Sequence, residues 1–227
     1  MNIRLFTFFL LIMFVSCSEQ ASTNKEDIQY YDDGSVRRKI IEYRSTGLSE
    51  ITFFYQNGVI EATAIYKDGK KEGVSEAFFE SGKLKQRANW SNGIQHGPFK
   101  SFYENGALRE STIFKNGVLN GKFSMYFENG KLRMSGIFLN DRLDRTCRRY
   151  YDNGAIEYIA NYKEGKLHGA YQSYYRNGKT DELSNWIDDI AQGEYKKYYM
   201  NGTIAAEGMD YTVTLGTNTI QSPNSLP

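Results

Sequence analysis

The chain is short of the residues that most catalytic chemistry uses. It has two cysteines, two histidines and two tryptophans in 227 residues. No phosphate loop, nucleophile elbow or Cys/His cluster with metal-ligand spacing is present. The expectation is therefore a protein that is not an enzyme and carries no cofactor and no metal. Proline is also scarce, at three residues, one of them the last. Helical periodicity is missing throughout, which argues against any helical domain. Net charge is nearly absent too. The formal value is +1, and it falls to 0 once the segment holding Arg4 is set aside. No patterned basic stripe is visible along the chain, so nothing marks a nucleic-acid partner.

What the chain does have is 18 Tyr, 14 Phe and 21 Gly. Aromatics favour pleated, half-buried surfaces and glycines supply turns, so the composition points to β structure. A short motif organises it: two aromatics, one residue, then a turn pair ending in glycine, as in Tyr126-Phe127-Glu128-Asn129-Gly130. Its eight glycines are Gly34, Gly58, Gly82, Gly106, Gly130, Gly154, Gly178 and Gly202, spaced 24 residues apart without exception. Self-similarity at such a period means a stacked array.

Each repeat carries two turn signals. Asn105-Gly106 suits a type I′ hairpin, because both residues accept positive φ. Asn116-Gly117 is the second, with Asp68-Gly69, Asn92-Gly93 and Glu164-Gly165 as equivalents. Alternating runs between the turns read as strands. The predicted fold is an all-β, elongated single-layer antiparallel meander of hairpin repeats, with about 15 or 16 strands. At the usual strand spacing it would extend on the order of 70 Å, and it must twist.

A two-residue turn at 129–130 predicts the register. Phe127 falls opposite Leu132, Met125 opposite Met134, Phe123 opposite Gly136 and Gly121 opposite Phe138. One face then pairs large with small residues: Phe99, Phe123, Tyr171 and Tyr195 lie across from Thr112, Gly136, Ser184 and Gly208. A second series places Gly73, Gly97, Gly121 and Gly169 across from Trp90, Phe114, Phe138 and Trp186. Cys147 occupies an aromatic's place on this packed face and reads as a small apolar residue. The opposite face carries Tyr30, Phe54, Phe78, Phe102, Tyr126, Tyr150, Tyr174 and Tyr198. Their expected partners are Arg37, Glu61, Lys85, Arg109, Arg133, Glu157, Asp181 and Ala205. Such a row either stacks along the sheet under charged stems or offers a binding surface. The candidate binding face comprises Phe54, Phe78, Phe102, Tyr126, Tyr150, Tyr174 and Tyr198.

Three departures stand out. Asp141, Arg145 and Asp189 replace expected glycines, and read as tolerated irregularities or a distortion used by a partner. His96 and His168 sit at equivalent positions three repeats apart, roughly 30 Å by strand spacing. They cannot share one metal ion and read as turn residues.

The ends differ from the array. Leu5 to Val15 is an apolar run of eleven residues after Arg4, too short to span a bilayer as a helix. Ending in Phe14-Val15-Ser16-Cys17, it resembles a bacterial lipoprotein signal, in which cleavage precedes a lipidated cysteine. A plain secretory signal is the alternative. Both readings place the mature chain outside the cytoplasm. The expected divisions are residues 1–16 as signal peptide, 17–27 as a tether lipidated at Cys17, 28–211 as the array and 212–227 as a polar disordered tail. With Cys17 acylated, Cys147 is left without a disulfide partner.

The motif Tyr-Tyr/Phe-x-Asn-Gly-x-Leu, with the turns Ile94-Gln95-His96-Gly97 and Lys166-Leu167-His168-Gly169, resembles the bacterial MORN-repeat variant family, including YwqK-type antitoxin-like proteins. The resemblance covers residues 28–211. It implies an interaction module with an unidentified protein partner; together with the lipid anchor read at Cys17, the expectation is a module at the cell envelope, attached to a membrane by its lipid. An antitoxin or immunity role is the alternative, and lipid-headgroup or glycan binding a further one. No catalytic residues carry over.

Overall fold

A computed structural model describes residues 24–210, 212–215 and 218–221. The signal segment 1–16 and Cys17 lie outside the described residues. Among those residues there is no helix. The first strands are β1 Lys25–Tyr30, β2 Val36–Tyr43, β3 Leu48–Phe54, β4 Ile60–Lys67, β5 Lys70–Phe78 and β6 Leu84–Ser91. Next come β7 Ile94–Phe102, β8 Leu108–Lys115, β9 Val118–Leu119, β10 Gly121–Tyr126, β11 Leu132–Leu139 and β12 Arg142–Tyr150. The array ends with β13 Ile156–Lys163, β14 Lys166–Tyr174, β15 Thr180–Ile187, β16 Ile190–Ala191, β17 Gly193–Tyr198 and β18 Ile204–Asp210.

Successive rows of the sheet pair antiparallel, giving the single-layer meander read from the sequence. The 18 strands fill only 16 rows, because two rows are interrupted. β9 and β10 both pair with β8, and β16 and β17 both pair with β15. At each break one amide leaves the regular ladder: Asn120 N–H donates to the Ile113 carbonyl and Gln192 N–H to that of Asn185. Pairing begins at Lys25, inside the stretch read as tether. Within the stretch read as tail, β19 Thr212–Leu215 and β20 Asn218–Gln221 form a separate antiparallel pair.

The two turns of a repeat are chemically different. At Asp68-Gly69, Asn92-Gly93, Asn116-Gly117 and Glu164-Gly165 both residues have positive φ, as a type I′ turn requires. The turns beginning at the second aromatic are not type I′. In Phe127 to Gly130 only the glycine is left-handed, at φ 79°. Gly130 N–H donates to the Phe127 carbonyl and Phe127 N–H to that of Lys131. This is a type I turn closed by a glycine bulge. The Asn129 carboxamide oxygen accepts from Lys131 N–H at 3.0 Å.

That turn corrects the predicted register at its mouth. Strand pairing matches expectation from Gly121↔Phe138 through Met125↔Met134, then slips by one residue, so Tyr126 lies opposite Leu132. Phe127 is a turn residue, and Arg133 is the extra residue of a bulge. The slip recurs before Tyr30, Phe54, Phe78, Phe102, Tyr150, Tyr174 and Tyr198. The aromatic row is therefore paired with Val36, Ile60, Leu84, Leu108, Leu132, Ile156, Thr180 and Ile204, not with the charged residues expected. A type I turn with its bulge draws Phe127 out of the ladder, and the partner strand absorbs the difference.

The packed face is as predicted. Among the described residues, all eight that are buried lie on it: Ala88, Phe123, Cys147, Ala160, Thr112, Ser173, Ser184 and Asp210. A single layer can bury a side chain only beneath neighbouring side chains. Phe123 lies 4.6 Å from Phe138 between ring centroids and passes over Gly136, where an added Cβ would sit 2.9 Å from its Cε1. Tyr195 covers Gly208 in the same way, also at 2.9 Å. Tyr171 touches Tyr158 and Trp186 at 5.9 and 6.4 Å. Cross-strand large–small pairing is the core of this protein.

Candidate functional site

The open face of the sheet is the candidate binding face, and the slip in register decides what it presents. Phe54, Phe78, Phe102, Tyr126, Tyr150, Tyr174 and Tyr198 form one row at the strand ends, and all are half-buried. Tyr30, at the array's start, is 58 % exposed. In five motifs the charged residue acts on the second aromatic instead: Arg37 on Tyr31, Glu61 on Tyr55, Lys85 on Phe79, Glu157 on Tyr151 and Asp181 on Tyr175. The Arg37 guanidinium stands 5.9 Å from the Tyr31 ring centroid and the Lys85 ammonium 5.7 Å from that of Phe79. The Tyr151 hydroxyl is pushed up chiefly by burial, then by the Glu157 and Asp181 carboxylates. The Asp181 carboxylate, first by hydrogen bonding, raises Tyr175. The split between an apolar-paired aromatic and a charge-flanked one is thus the reverse of the sequence expectation.

The second aromatics also join the repeats. Tyr31, Tyr55, Tyr103, Tyr151 and Tyr175 each donate a hydroxyl hydrogen bond to the backbone carbonyl of the first aromatic in the next repeat, at 2.6–2.8 Å. Phe79 and Phe127 lack the hydroxyl, so two junctions go without this bond. Beside them, Asn57, Asn105, Asn129 and Asn153 donate carboxamide N–H to carbonyls of the following turn at 3.0–3.4 Å. The recurrence of Tyr one residue after most row members, with Phe79 and Phe127 as the exceptions, was the sequence signal for this ladder.

The titratable groups that shift do so away from neutral pH. Burial pushes the Cys147 thiol to about 11, and Tyr158, Tyr162 and Tyr171 beside it are all raised, again mainly by burial. They stay protonated and serve packing. The Nδ1 of His96 lies 3.2 Å from the Asn116 carboxamide oxygen, and that of His168 lies 3.3 Å from an Asp188 carboxylate oxygen. Both histidines therefore sit against the next repeat's turn. The described residues include no cluster of three His, Cys, Asp or Glu that could hold a metal ion.

The irregular positions are structured. Asp141 and Asp189 adopt the left-handed φ of the glycines they replace, 64° and 70°. Each carboxylate accepts a backbone N–H from the preceding repeat, Leu119 at 2.7 Å and Leu167 at 2.8 Å. Arg145 is left-handed too, at φ 62°, and its guanidinium meets only the Asp144 carboxylate, at 3.6 Å.

Six segments, residues 50–68, 71–92, 95–116, 119–140, 146–164 and 167–188, match the MORN repeat variant family and together cover over half of the chain. No curated protein matches the chain.

Proposed function

The chain belongs to the MORN repeat variant family, and from that premise we propose that it is a non-enzymatic, envelope-anchored module that captures its partner on the open sheet face. Repeats of this family commonly form protein- or membrane-binding modules. The observation that carries the reading is the division of the two faces. The eight buried residues among those described all lie on one side. The other side presents a half-buried aromatic row recurring along the whole array, which suits recognition of an extended partner. Cys17 supplies the lipid anchor, and the mature chain stands in the extracytoplasmic compartment of a bacterial envelope. Phe14-Val15-Ser16-Cys17 supports that placement.

The test is capture from the native envelope by the intact protein and by a Phe102→Ser/Tyr126→Ser/Tyr150→Ser variant whose β-type circular dichroism is unchanged. Partner recovery should be lost in the variant. Equal recovery would remove the face from consideration. Fatty-acid labelling should disappear in Cys17→Ser, and labelling that persists would place the anchor elsewhere. Neutralisation of a toxin encoded beside this gene would turn the scaffold into an immunity protein.

A further inference from the structure

The strand register assembles a basic window that the linear sequence conceals. Residues 97–150 hold ten Lys and Arg against five Asp and Glu, whereas residues 151–210 hold six against ten. Following direct cross-strand partners over the middle of the open face gives one row across five strand rows. Lys100 pairs with Ser111, Ser111 with Ser124, Ser124 with Ser135 and Ser135 with Arg148. The five residues span about 19 Å at ordinary strand spacing. Lys122, two residues before Ser124, is on the same face and exposed.

The row has two distinctive properties. First, its cations are free of carboxylates. Elsewhere along the same line of partners charges are matched: Glu76 with Arg87 at 2.5 Å and Lys196 with Glu207 at 3.8 Å. Among the described residues Lys100, Lys122 and Arg148 have no ion pair. The two acids nearest in sequence to Arg148 are engaged, Asp144 by Arg145 at 3.6 Å and Asp152 by Arg176, and Glu157 is held by Arg149 at 2.9 Å. Second, the hydroxyls of Ser111, Ser124 and Ser135 have no hydrogen-bond partner among the described residues. They are half-buried between exposed Lys100 and Arg148. Phe102, Tyr126 and Tyr150 run along one side, two residues further on, and Ile113 and Ile137 along the other. A recess of about 370 Å³, lined by Lys122, Ser124, Ser135, Thr146 and Arg148 among others, opens at the centre.

We infer that this window binds a linear acidic glycan, a polymer of sugar acids lying along the row. Its carboxylates meet the ammonium and guanidinium groups. Its hydroxyls exchange hydrogen bonds with serines that can both donate and accept. Its sugar faces rest on the aromatic edge. A membrane surface would reach the projecting cations but not the recessed hydroxyls, and an acidic peptide would leave its backbone groups without partners on a sheet face. The inference rests on the open face being the binding surface, and it is independent of the anchor at Cys17.

Calorimetric titration of the full-length protein tests it, with oligogalacturonate as ligand. Neutral oligogalactan and phosphatidylglycerol-containing vesicles are the comparisons. Oligogalacturonate should bind, weaken with added salt, and outcompete the vesicles, while the neutral glycan does not bind. Lys100→Gln/Arg148→Gln, at exposed positions, should weaken binding by roughly tenfold. Ser124→Ala should weaken it severalfold with every charge in place, which a general electrostatic attraction would not do. No binding of oligogalacturonate, binding undiminished in these variants, or binding to the vesicles alone overturns the inference. Such a failure leaves the envelope-capture experiment standing, because that experiment reads a native partner through the aromatic row.

Discussion

Adding one methyl group at Gly136 should loosen the centre of the array. Gly136 is not in the left-handed region, so alanine meets no backbone penalty. It would gain about 0.4–1 kcal/mol from a less disordered unfolded chain. Against this, the new Cβ would lie 2.9 Å from Phe123 Cε1, 3.3 Å from Phe123 Cζ and 3.5 Å from Cys147 Cα. Phe123 is only 2 % exposed and is blocked by Phe138, so the ring has little room to withdraw. Overpacking of this kind costs about 1–3 kcal/mol. The net expectation is a loss of roughly 1–2 kcal/mol. Repeat arrays can lose cooperativity, so a single melting temperature is a poor measure. Native-state hydrogen exchange is the better assay, with faster exchange expected over β10, β11 and β12. In a Phe123→Leu background the ring atoms that clash are gone, and the cost of Gly136→Ala should shrink by most of its value. Protection in Gly136→Ala equal to the parent, or an undiminished cost in the Phe123→Leu background, would refute the claim that ring-over-glycine packing limits this site.

Other perturbations follow from the same geometry. Arg145→Gly should stabilise the array by about 1 kcal/mol, since it relieves a left-handed arginine and gives up only an exposed ion pair; denaturant unfolding will show this as a higher midpoint. Phe127→Tyr should restore the missing hydroxyl bond to the Tyr150 carbonyl and add about 0.5–1.5 kcal/mol, readable as slower exchange in β12. Cys147 should react with iodoacetamide at pH 8 at least roughly 100-fold more slowly than a free cysteine, from its raised pKa alone. Burial raises the folded thiol from its ordinary value of 9.0, which the unfolded chain is taken to have, to about 11. Between those values the unfolded chain has released a proton that the folded chain retains, so stability should fall as pH rises through this window. Cys147→Ala should flatten that part of the pH profile.

The division between sequence and tertiary structure is clear in the motif Tyr126 to Gly130. The period of 24 residues, the meander, and the pairing of Phe123 with Gly136 followed from local rules, because strands alternate faces and a hairpin fixes the partners beyond it. Cys147 was legible as a packing residue for the same reason. The turn itself was not. Asn-Gly suits both a type I′ turn and a type I turn with a glycine bulge, and the choice rests on how the turns stack. At Asn116 the turn sits two-residue tight, whereas at Asn129 the carboxamide reaches the next repeat's Asp152 carbonyl at 3.1 Å. That stacking draws Phe127 into the turn, makes Arg133 a bulge, and sets Tyr126 opposite Leu132. The serine row flanked by Lys100 and Arg148 was hidden similarly, because its members lie 11 or 13 residues apart in the chain and become neighbours only through five strands in register. Sequence alone determined the lattice and most of its partners; the tertiary structure decided which side chains meet at the mouth of each turn, because a one-residue slip there reassigns the aromatic's partner and leaves the register beyond it unchanged.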